Sequence, residues 1–444
     1  MSYHNELQKM FDLQKFGMKF GLDGIRSILS KLGNPHLGRN FIHLAGTNGK
    51  GSVGAMLHGM LKAAGYRVGL YTSPHLVTFR ERIVIAGEKI SEEDVLRFSA
   101  RVWAATEADS PPTFFEFVTA LAFLYFQEKN CDLAIIETGL GGRLDSTNVI
   151  ENPLVTVITN ISLEHTEHLG HTLAEIASEK TGIIKPGAPL VCGRLADEAR
   201  EIIINRAAEK GSPVYLLGRD FKARSLSHDA VGRPEMDFYL GNDSLEHLQL
   251  NLAGPHQVDN AAVALAVLSL LKDFPADESR LRQGLAEAVW PGRGEIRPAG
   301  SWPPNGPAAK APLMLDGAHN PAGAKALAAL LAGLDYRRLH LLVGVMADKD
   351  ISGVLGPIYG LADRIYLSRP EYQRAASPEL LLEKFREAFG QPTVPLTLYP
   401  HLPEALAAAA AEAEAGDLVL LSGSLFTVGE GRAYLEGLTE VESN

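Results

Sequence analysis

Two cysteines, Cys131 and Cys192, are too few to staple a chain of 444 residues. That scarcity points to a reducing cytoplasm and two small buried thiols. The longest apolar runs, such as NAAVALAVLSLL, fall short of the ~18 residues that span a bilayer, so no membrane association is expected. MSYHNELQKMF has no charged region followed by an apolar stretch, so no secretory signal is expected either. Basic residues are outnumbered, 42 against 53 acidic ones, for a net charge of −11. This argues against nucleic acid as a partner, because a phosphate backbone demands a basic face. A small anionic substrate needs only a few local cations and stays open. No sustained repeat occurs, and ALAAAAAEAEAG reads as an Ala-rich surface helix.

What is present is a globular composition, 46% hydrophobic, in a chain long enough for two or three domains. From about residue 41, β-rich runs (FIHLA, RVGLYT, DLAIIET, LVTVIT, APLVCG) alternate with helical patterns starting near Lys50, Ser91, Thr113 and Thr172. Such alternation predicts a parallel sheet covered by helices. RIVIAGEKI predicts a hairpin turning at Gly87-Glu88. Residues 220–252 change to short alternating runs with turn residues, predicting a small antiparallel insertion, and helices follow near 257–271 and 277–288. WPGRGEIRPAGSWPPNGPAAKAP is the best candidate boundary. Beyond it PLMLDGAHN, RLHLLVGV, ADRIYLS, TVPLTLYP and DLVLLSGS alternate with helices, predicting a second, smaller doubly wound unit. The expected domains are residues 1–293 and 298–444, with a cleft between them.

AGTNGKGSV, Ala45 to Val53, follows a buried-looking strand and precedes an amphipathic helix, the context of a phosphate loop. Gly46, Gly49 and Gly51 let backbone N–H groups converge on phosphate oxygens. Lys50 brings charge to the outer phosphates, and the Ser52 hydroxyl can reach Mg²⁺. Gly51, however, separates Lys50 from Ser52, a spacing that differs from the commonest loop of this kind.

GTNGKGS together with TSPH (Thr72–His75), ETGLGGRLDSTN (Glu137–Asn148), LEHTEHLG (Leu163–Gly170), EKTGI (Glu179–Ile183), PGRGE (Pro291–Glu295) and DGAHNP (Asp316–Pro321) resembles the Mur ligase superfamily. More narrowly it resembles folylpolyglutamate synthase/dihydrofolate synthase, and the shifted loop spacing is normal there. The match runs in order over nearly the whole chain. It implies an α/β fold, a P-loop-containing Mur-ligase-like N-terminal domain plus a smaller doubly wound C-terminal domain.

The resemblance also assigns roles. ATP would be held by Gly46, Thr47, Asn48, Gly49, Lys50, Gly51 and Ser52, with Asn260, Arg293 and Asp316. Lys50, Asp316, His319 and a carbamylated Lys180 would serve catalysis. Ser52, Ser73, Glu137, His165 and Lys180 would hold magnesium at two sites, and a monovalent cation is a further expectation. Taken alone, Glu137 is a strand-end charge well placed to meet a metal. Lys180 reads as an exposed helix lysine, and His165, His168 and His171 as polar loop residues, since Mg²⁺ prefers oxygen. A lone Asp316 or His319 is more often a cap or surface group. Thr113, Phe114, Phe115, Glu116, Leu144, Asp145 and Ser146 would hold the pterin, although the aromatic cluster alone suggests core packing, and Phe117 is assigned to it. Asp145 could accept two hydrogen bonds from a 2-amino-pyrimidinone edge. Residues 1–40, including FGLDGIRSILSKLG, are expected to cover the pterin.

The implied reaction is ATP-dependent amide formation through an acyl phosphate, joining L-glutamate to dihydropteroate or tetrahydrofolate in a monomeric enzyme. Arg143-Leu144-Asp145 matches relatives with both activities, so Asp145→Ala is expected to lose dihydropteroate activity selectively. Two alternatives stand beside it. A peptidoglycan-precursor Mur ligase would need a nucleotide-sugar domain that 40 residues before Phe41 cannot form. A non-catalytic ATP-switched binding protein would not need Lys50, Glu137, His165 and Asp316 together.

Overall fold

The computed structural model describes residues 2–17, 21–107, 109–305, 308–438 and 441–442. Phe20 of the FGLDGIRSILSKLG stretch and Gly306-Pro307 of the linker lie outside the described residues. The first sheet contains β1 (Phe41–Ala45), β2 (Val68–Tyr71), β3 (Ile83–Ile85), β4 (Glu88–Lys89), β5 (Leu133–Glu137), β6 (Val155–Ile158), β7 (Leu190–Cys192) and β8 (Val214–Leu216). Their order is β4-β3-β2-β5-β1-β6-β7-β8, parallel from β2 to β8, with β3 and β4 as an antiparallel edge.

FIHLA and LAIIE are buried along their whole length, as parallel strands with helices on both faces must be. Ile42 and Leu44 enter the core shared with the helices Lys50–Ala63 and His256–Leu270. Phe41 faces the other core, filled by the helices Glu92–Ala105 and Phe114–Glu128, and Phe117 lies there fully buried. The β3–β4 pairing of Ile85 with Glu88 moves the hairpin turn to Ala86-Gly87, one residue before the expected place. Both turn residues have positive φ, 51° and 91°, which matches the twist of a two-residue hairpin loop.

The strands β9 (Phe221–His228), β10 (Pro234–Leu240) and β11 (Asp243–Gln249) form the expected antiparallel insertion. A second sheet follows: β12 (Glu295–Arg297), β13 (Leu313–Leu315), β14 (Leu339–Val343), β15 (Arg364–Leu367), β16 (Leu396–Leu398) and β17 (Leu418–Ser422). Its order is β12-β13-β17-β14-β15-β16, parallel except for β12. Part of the Pro/Gly-rich linker is therefore a strand of the second sheet. The Ala-rich helix Leu402–Glu412 is only half at the surface, because Leu402, Ala405, Leu406, Ala409 and Ala410 are buried. Of the two free thiols Cys192 is buried and Cys131 is only half-buried. Among the described residues, no helix is long and apolar enough to cross a membrane.

Candidate active site

The carboxyl edges of the two sheets face one another across a cleft of about 520 Å³. Open α/β sheets bind ligands at that edge, where the strand order reverses. Here β1 sits between β5 and β6, and the segments after these three strands form one wall: Gly46–Ser52, Thr138–Gly141, and Thr159, Asn160, Glu164 and His165. Ser73 after β2 joins them. The opposite wall comes from Asp316–His319 after β13, Met346 and Lys349 after β14, and Ser424–Phe426 after β17.

The glycine spacing has a packing reason. Gly49 has φ 86°, and a Cβ there would stand 2.6 Å from the Asn260 amide oxygen. A Cβ on Gly51 would stand 2.4 Å from the Trp290 ring, so the indole occupies the space any side chain would need. Asn48 is fixed from both sides. Its N–H donates to Asn160 Oδ1 at 2.8 Å, and its side-chain amide exchanges hydrogen bonds with that of Asn320 at 3.1 and 3.3 Å. Asn320 caps the helix Pro321–Leu331 of the second unit, so the phosphate loop is tied to the facing sheet.

Lys50 Nζ donates to the carbonyls of Gly46 (2.8 Å) and Thr47 (3.0 Å) and lies 3.9 Å from Glu137 Oε1. Lys180 is buried and donates to the same Gly46 carbonyl at 2.8 Å, so it is no exposed helix lysine. Burial and the charge of Lys50 lower its pKa to about 7. Burial also raises Glu137 to about 7, against the opposing pull of Lys50 and of the nearby Ser73 backbone. Glu137 Oε2 is buried without a hydrogen-bond partner.

Among the described residues no three His, Cys, Asp or Glu side chains converge as a preformed metal cluster. The donors that do line the cleft are the orphaned Glu137 oxygen, the Ser52 and Ser73 hydroxyls, and His165. That set suits Mg²⁺, which takes one or two protein oxygens and completes its shell with water and phosphate. His165 caps a short helix at φ 50°, and burial lowers its pKa to about 4, so its imidazole is neutral.

Asp316 accepts from the Gly294 and Ala318 N–H groups, both at 2.9 Å, and so joins the linker to the second unit. Burial raises its pKa, while the neighbouring Arg293 opposes this. Arg293 and Asn260 line the cleft. His319 donates through Nδ1 to the Gly317 carbonyl (2.8 Å) and faces Glu164 Oε1 with Nε2 (3.4 Å). Glu164 was not singled out from the sequence. Burial pulls its pKa upward, yet His319 and Lys50 hold it well below the ordinary carboxylate range. The sequence signal available was a carboxylate just past a strand end, beside His165. Lys349 and Arg374 were likewise missed, and both line the second wall. Arg374 pairs with Asp348 at 2.6 Å.

The expected pterin residues lie apart from this cleft, and none of the seven lines it. Thr113 and Glu116 form a capping box for the helix Phe114–Glu128, which engages the Glu116 carboxylate. Phe114 packs against Phe11, Phe79 and Arg82, and Phe115 packs against Tyr71 and the Gly139 backbone. Leu144 is partly exposed and Ser146 buried. Asp145 is engaged by its own loop. Its carboxylate accepts from the N–H groups of Gly139, Leu140 and Thr147 and from the Thr147 hydroxyl, at 2.8, 2.8, 3.0 and 2.5 Å. Four bonds occupy the lone-pair sites of this carboxylate, so a pterin contact through Asp145 would have to displace one of them. Asp145→Ala should therefore cost about 2–4 kcal/mol of stability. Thermal melting checks this, and an unchanged melting temperature would show that these bonds do not hold the loop.

Residues 44–268 match the Mur ligase middle domain and residues 307–425 the Mur ligase glutamate ligase domain. The chain belongs to the Mur ligase family. Within it, the folylpolyglutamate synthase of Lacticaseibacillus casei is 34% identical over 93% of this chain and 94% of its own. The dihydrofolate synthase/folylpolyglutamate synthase of Escherichia coli is 32% identical over 95% and 93%. The chain spans about half the length of two archaeal relatives, including a probable bifunctional folylpolyglutamate synthase/dihydropteroate synthase of Haloferax volcanii, 36% identical over 97% of this chain and 50% of that protein. Among solved structures, Escherichia coli FolC in complex with DHPP and ADP matches with a TM-score of 0.87 at 32% identity, covering 98% of each chain. Folylpolyglutamate synthase from Thermotoga maritima matches with a TM-score of 0.83 at 37% identity, over 98% of this chain and 97% of that one.

Proposed function

We propose that this chain is an ATP-dependent ligase joining the carboxylate of a folate or of dihydropteroate to the amine of L-glutamate. The observation that carries the reading is one cleft holding a glycine-rich phosphate loop on one wall and the cations Lys349 and Arg374 on the other. The pairing of DHPP with ADP in the similar FolC structure supports the same substrates here. Residues 1–293 would bind ATP and the pterin-bearing substrate, and residues 298–444 would present glutamate.

A carboxylate is a poor acylating agent, so it must be activated first. The substrate carboxylate attacks the γ-phosphate of ATP, the bond to the β-phosphate oxygen breaks, and ADP leaves. The glutamate amine, once it has lost a proton, attacks the acyl phosphate carbon. An amide forms and inorganic phosphate departs. Lys50 and Arg293 offset the repulsion between the two anions in the first step. Lys349 and Arg374 would hold the glutamate carboxylates so that the amine faces the carbonyl. The Asn48–Asn320 bridge keeps the walls together and excludes water, which would otherwise hydrolyse the acyl phosphate. Magnesium, held by Ser52, Ser73, Glu137 and His165, would supply charge neutralisation at the phosphates. Lys180 as a carbamate would add an oxygen ligand and serve a second magnesium site. A monomer acting in the cytoplasm completes the reading, with both dihydrofolate and folylpolyglutamate synthesis expected from Arg143-Leu144-Asp145.

A mass-spectrometric product assay with ATP, L-glutamate and either dihydropteroate or tetrahydrofolate tests it. Glutamylated product with stoichiometric ADP is expected from each acceptor. Product only from a UDP-muramoyl acceptor, or ATP turnover with no amide at all, would overturn the reading.

The raised pKa of Glu137, about 7, sets a pH dependence. Below that value the carboxyl carries a proton and cannot ligate a cation, so Mg²⁺ affinity should fall by up to about tenfold per pH unit. The sign for folding is the reverse. With a folded pKa raised above its unfolded value, Glu137 favours the metal-free fold at low pH, and that contribution is lost as pH rises through about 7. Calorimetric Mg²⁺ titration on either side of that pH checks the first effect. Equal affinities at both pH values would remove Glu137 from the site.

A further inference from the structure

The loop that carries Ser73 is held by more than its own domain. Between β2 and β3 the chain runs Thr72–Arg82, and Leu76 and Val77 from this loop are buried in a core cluster otherwise built by the second unit. A Cβ on Gly429, in the helix Leu425–Leu435, would stand 2.2 Å from the Leu76 carbonyl oxygen, so that helix is pressed against the loop. Val441 packs on the same cluster. Glu442, next to it, reaches the loop at four points and the N-terminal helix at a fifth. Its Oε2 accepts from the Phe79 N–H (2.6 Å), the Thr78 hydroxyl (3.0 Å) and the Tyr3 hydroxyl (3.0 Å). Its own N–H donates to the Val77 carbonyl at 3.0 Å, and its carbonyl accepts from His75 Nε2 at 2.7 Å. The His75 tautomer is fixed by the Arg82 Nε–H, which donates to Nδ1 at 2.8 Å and leaves the proton on Nε2. Two residues upstream, Ser73 lines the cleft beside Glu137.

We propose that Glu442 is a positioning residue, clasping the Thr72–Arg82 loop to the second unit so that Ser73 stays beside Glu137 and the cleft stays closed during amide formation. The inference rests on the ligase reading. Glu442 is bonded to the N-terminal helix and to the Ser73 loop while its neighbour Val441 packs on the second core, so this segment couples domain closure to the placement of a site residue. Removing it should let the loop drift and admit water to the acyl phosphate.

The test compares wild type, Glu442→Ala, Glu442→Gln and Tyr3→Phe in the full chain. Glu442→Ala should slow amide formation by about tenfold, the cost of a small misplacement remote from the chemistry. It should also raise ADP released per amide above one, a ratio that simple loss of folded protein leaves unchanged. Glu442→Gln, which keeps one acceptor oxygen, and Tyr3→Phe, which removes one donor, should show smaller shifts in the same direction. Hydrogen exchange, independent of activity, should quicken at Thr72–Arg82 and stay unchanged at Ile42–Ala45. An ADP-to-amide ratio of one in every variant, or unaltered exchange in the loop of Glu442→Ala, would overturn the clasp. Wild-type protein forming no amide would instead overturn the ligase reading.

Discussion

Lys50→Ala should fold normally and lose turnover by about two to four orders of magnitude, equivalent to roughly 3–5 kcal/mol of transition-state stabilisation. Its ammonium is the cation at the head of the helix Lys50–Ala63, inside a loop shaped by Gly49 and Gly51. It donates to the Gly46 and Thr47 carbonyls, two neutral acceptors that phosphate oxygens can replace. Losing those two bonds costs about 1 kcal/mol each at most, so the fold should survive. The chemistry should not, because the attacking carboxylate and the γ-phosphate would meet with less positive charge between them. Stopped-assay kcat and circular dichroism on one preparation check this, with Lys50→Arg as a control that keeps charge but not shape. Near-normal kcat in folded Lys50→Ala protein would remove Lys50 from the mechanism.

The phosphate loop was legible because its signal is local: a buried strand, three glycines and a helix start within nine residues. The strands were legible for the same reason, since both sheets are mostly parallel and read as continuous apolar runs. Residues whose meaning depends on a distant partner were not legible. Glu164 matters because His319 and Asn320 approach it from the other unit. Gly51 is explained only by Trp290, far along the chain. Glu295–Arg297 reads as linker until β13 is there to pair with it. Asp145 shows the opposite case. Its motif suggested a ligand contact, whereas short-range bonds to Gly139, Leu140 and Thr147 consume its acceptors. Spacing names a residue without saying which of its lone pairs are already taken.

Lys180 combines both kinds of difficulty, and it carries the second large effect. The helix Leu173–Lys180 delivers its side chain into the protein, where Nζ shares the Gly46 carbonyl with Lys50. Burial penalises its ammonium, and repulsion from the Lys50 ammonium on the same carbonyl adds to this, which is why its pKa falls to about 7. Near neutral pH a large fraction of Lys180 is therefore an uncharged amine, the form that can add carbon dioxide. Carbamate formation releases a proton and converts a disfavoured cation into an anion beside Lys50, relieving the repulsion and creating an oxygen ligand. Lys180→Ala should consequently lose roughly one to two orders of magnitude of activity, the scale for groups that support a metal. Short-chain carboxylates such as acetate should restore part of it, because they can occupy the emptied space and replace the missing oxygens. Activity should also fall as pH drops below about 7, where the protonated amine cannot hold carbon dioxide. Incorporation of labelled bicarbonate, read by carbon NMR on intact active enzyme, gives the direct measurement. Full activity with unlabelled Lys180 under those conditions, or no carboxylate rescue of a folded Lys180→Ala variant, would show that the residue acts as a plain amine.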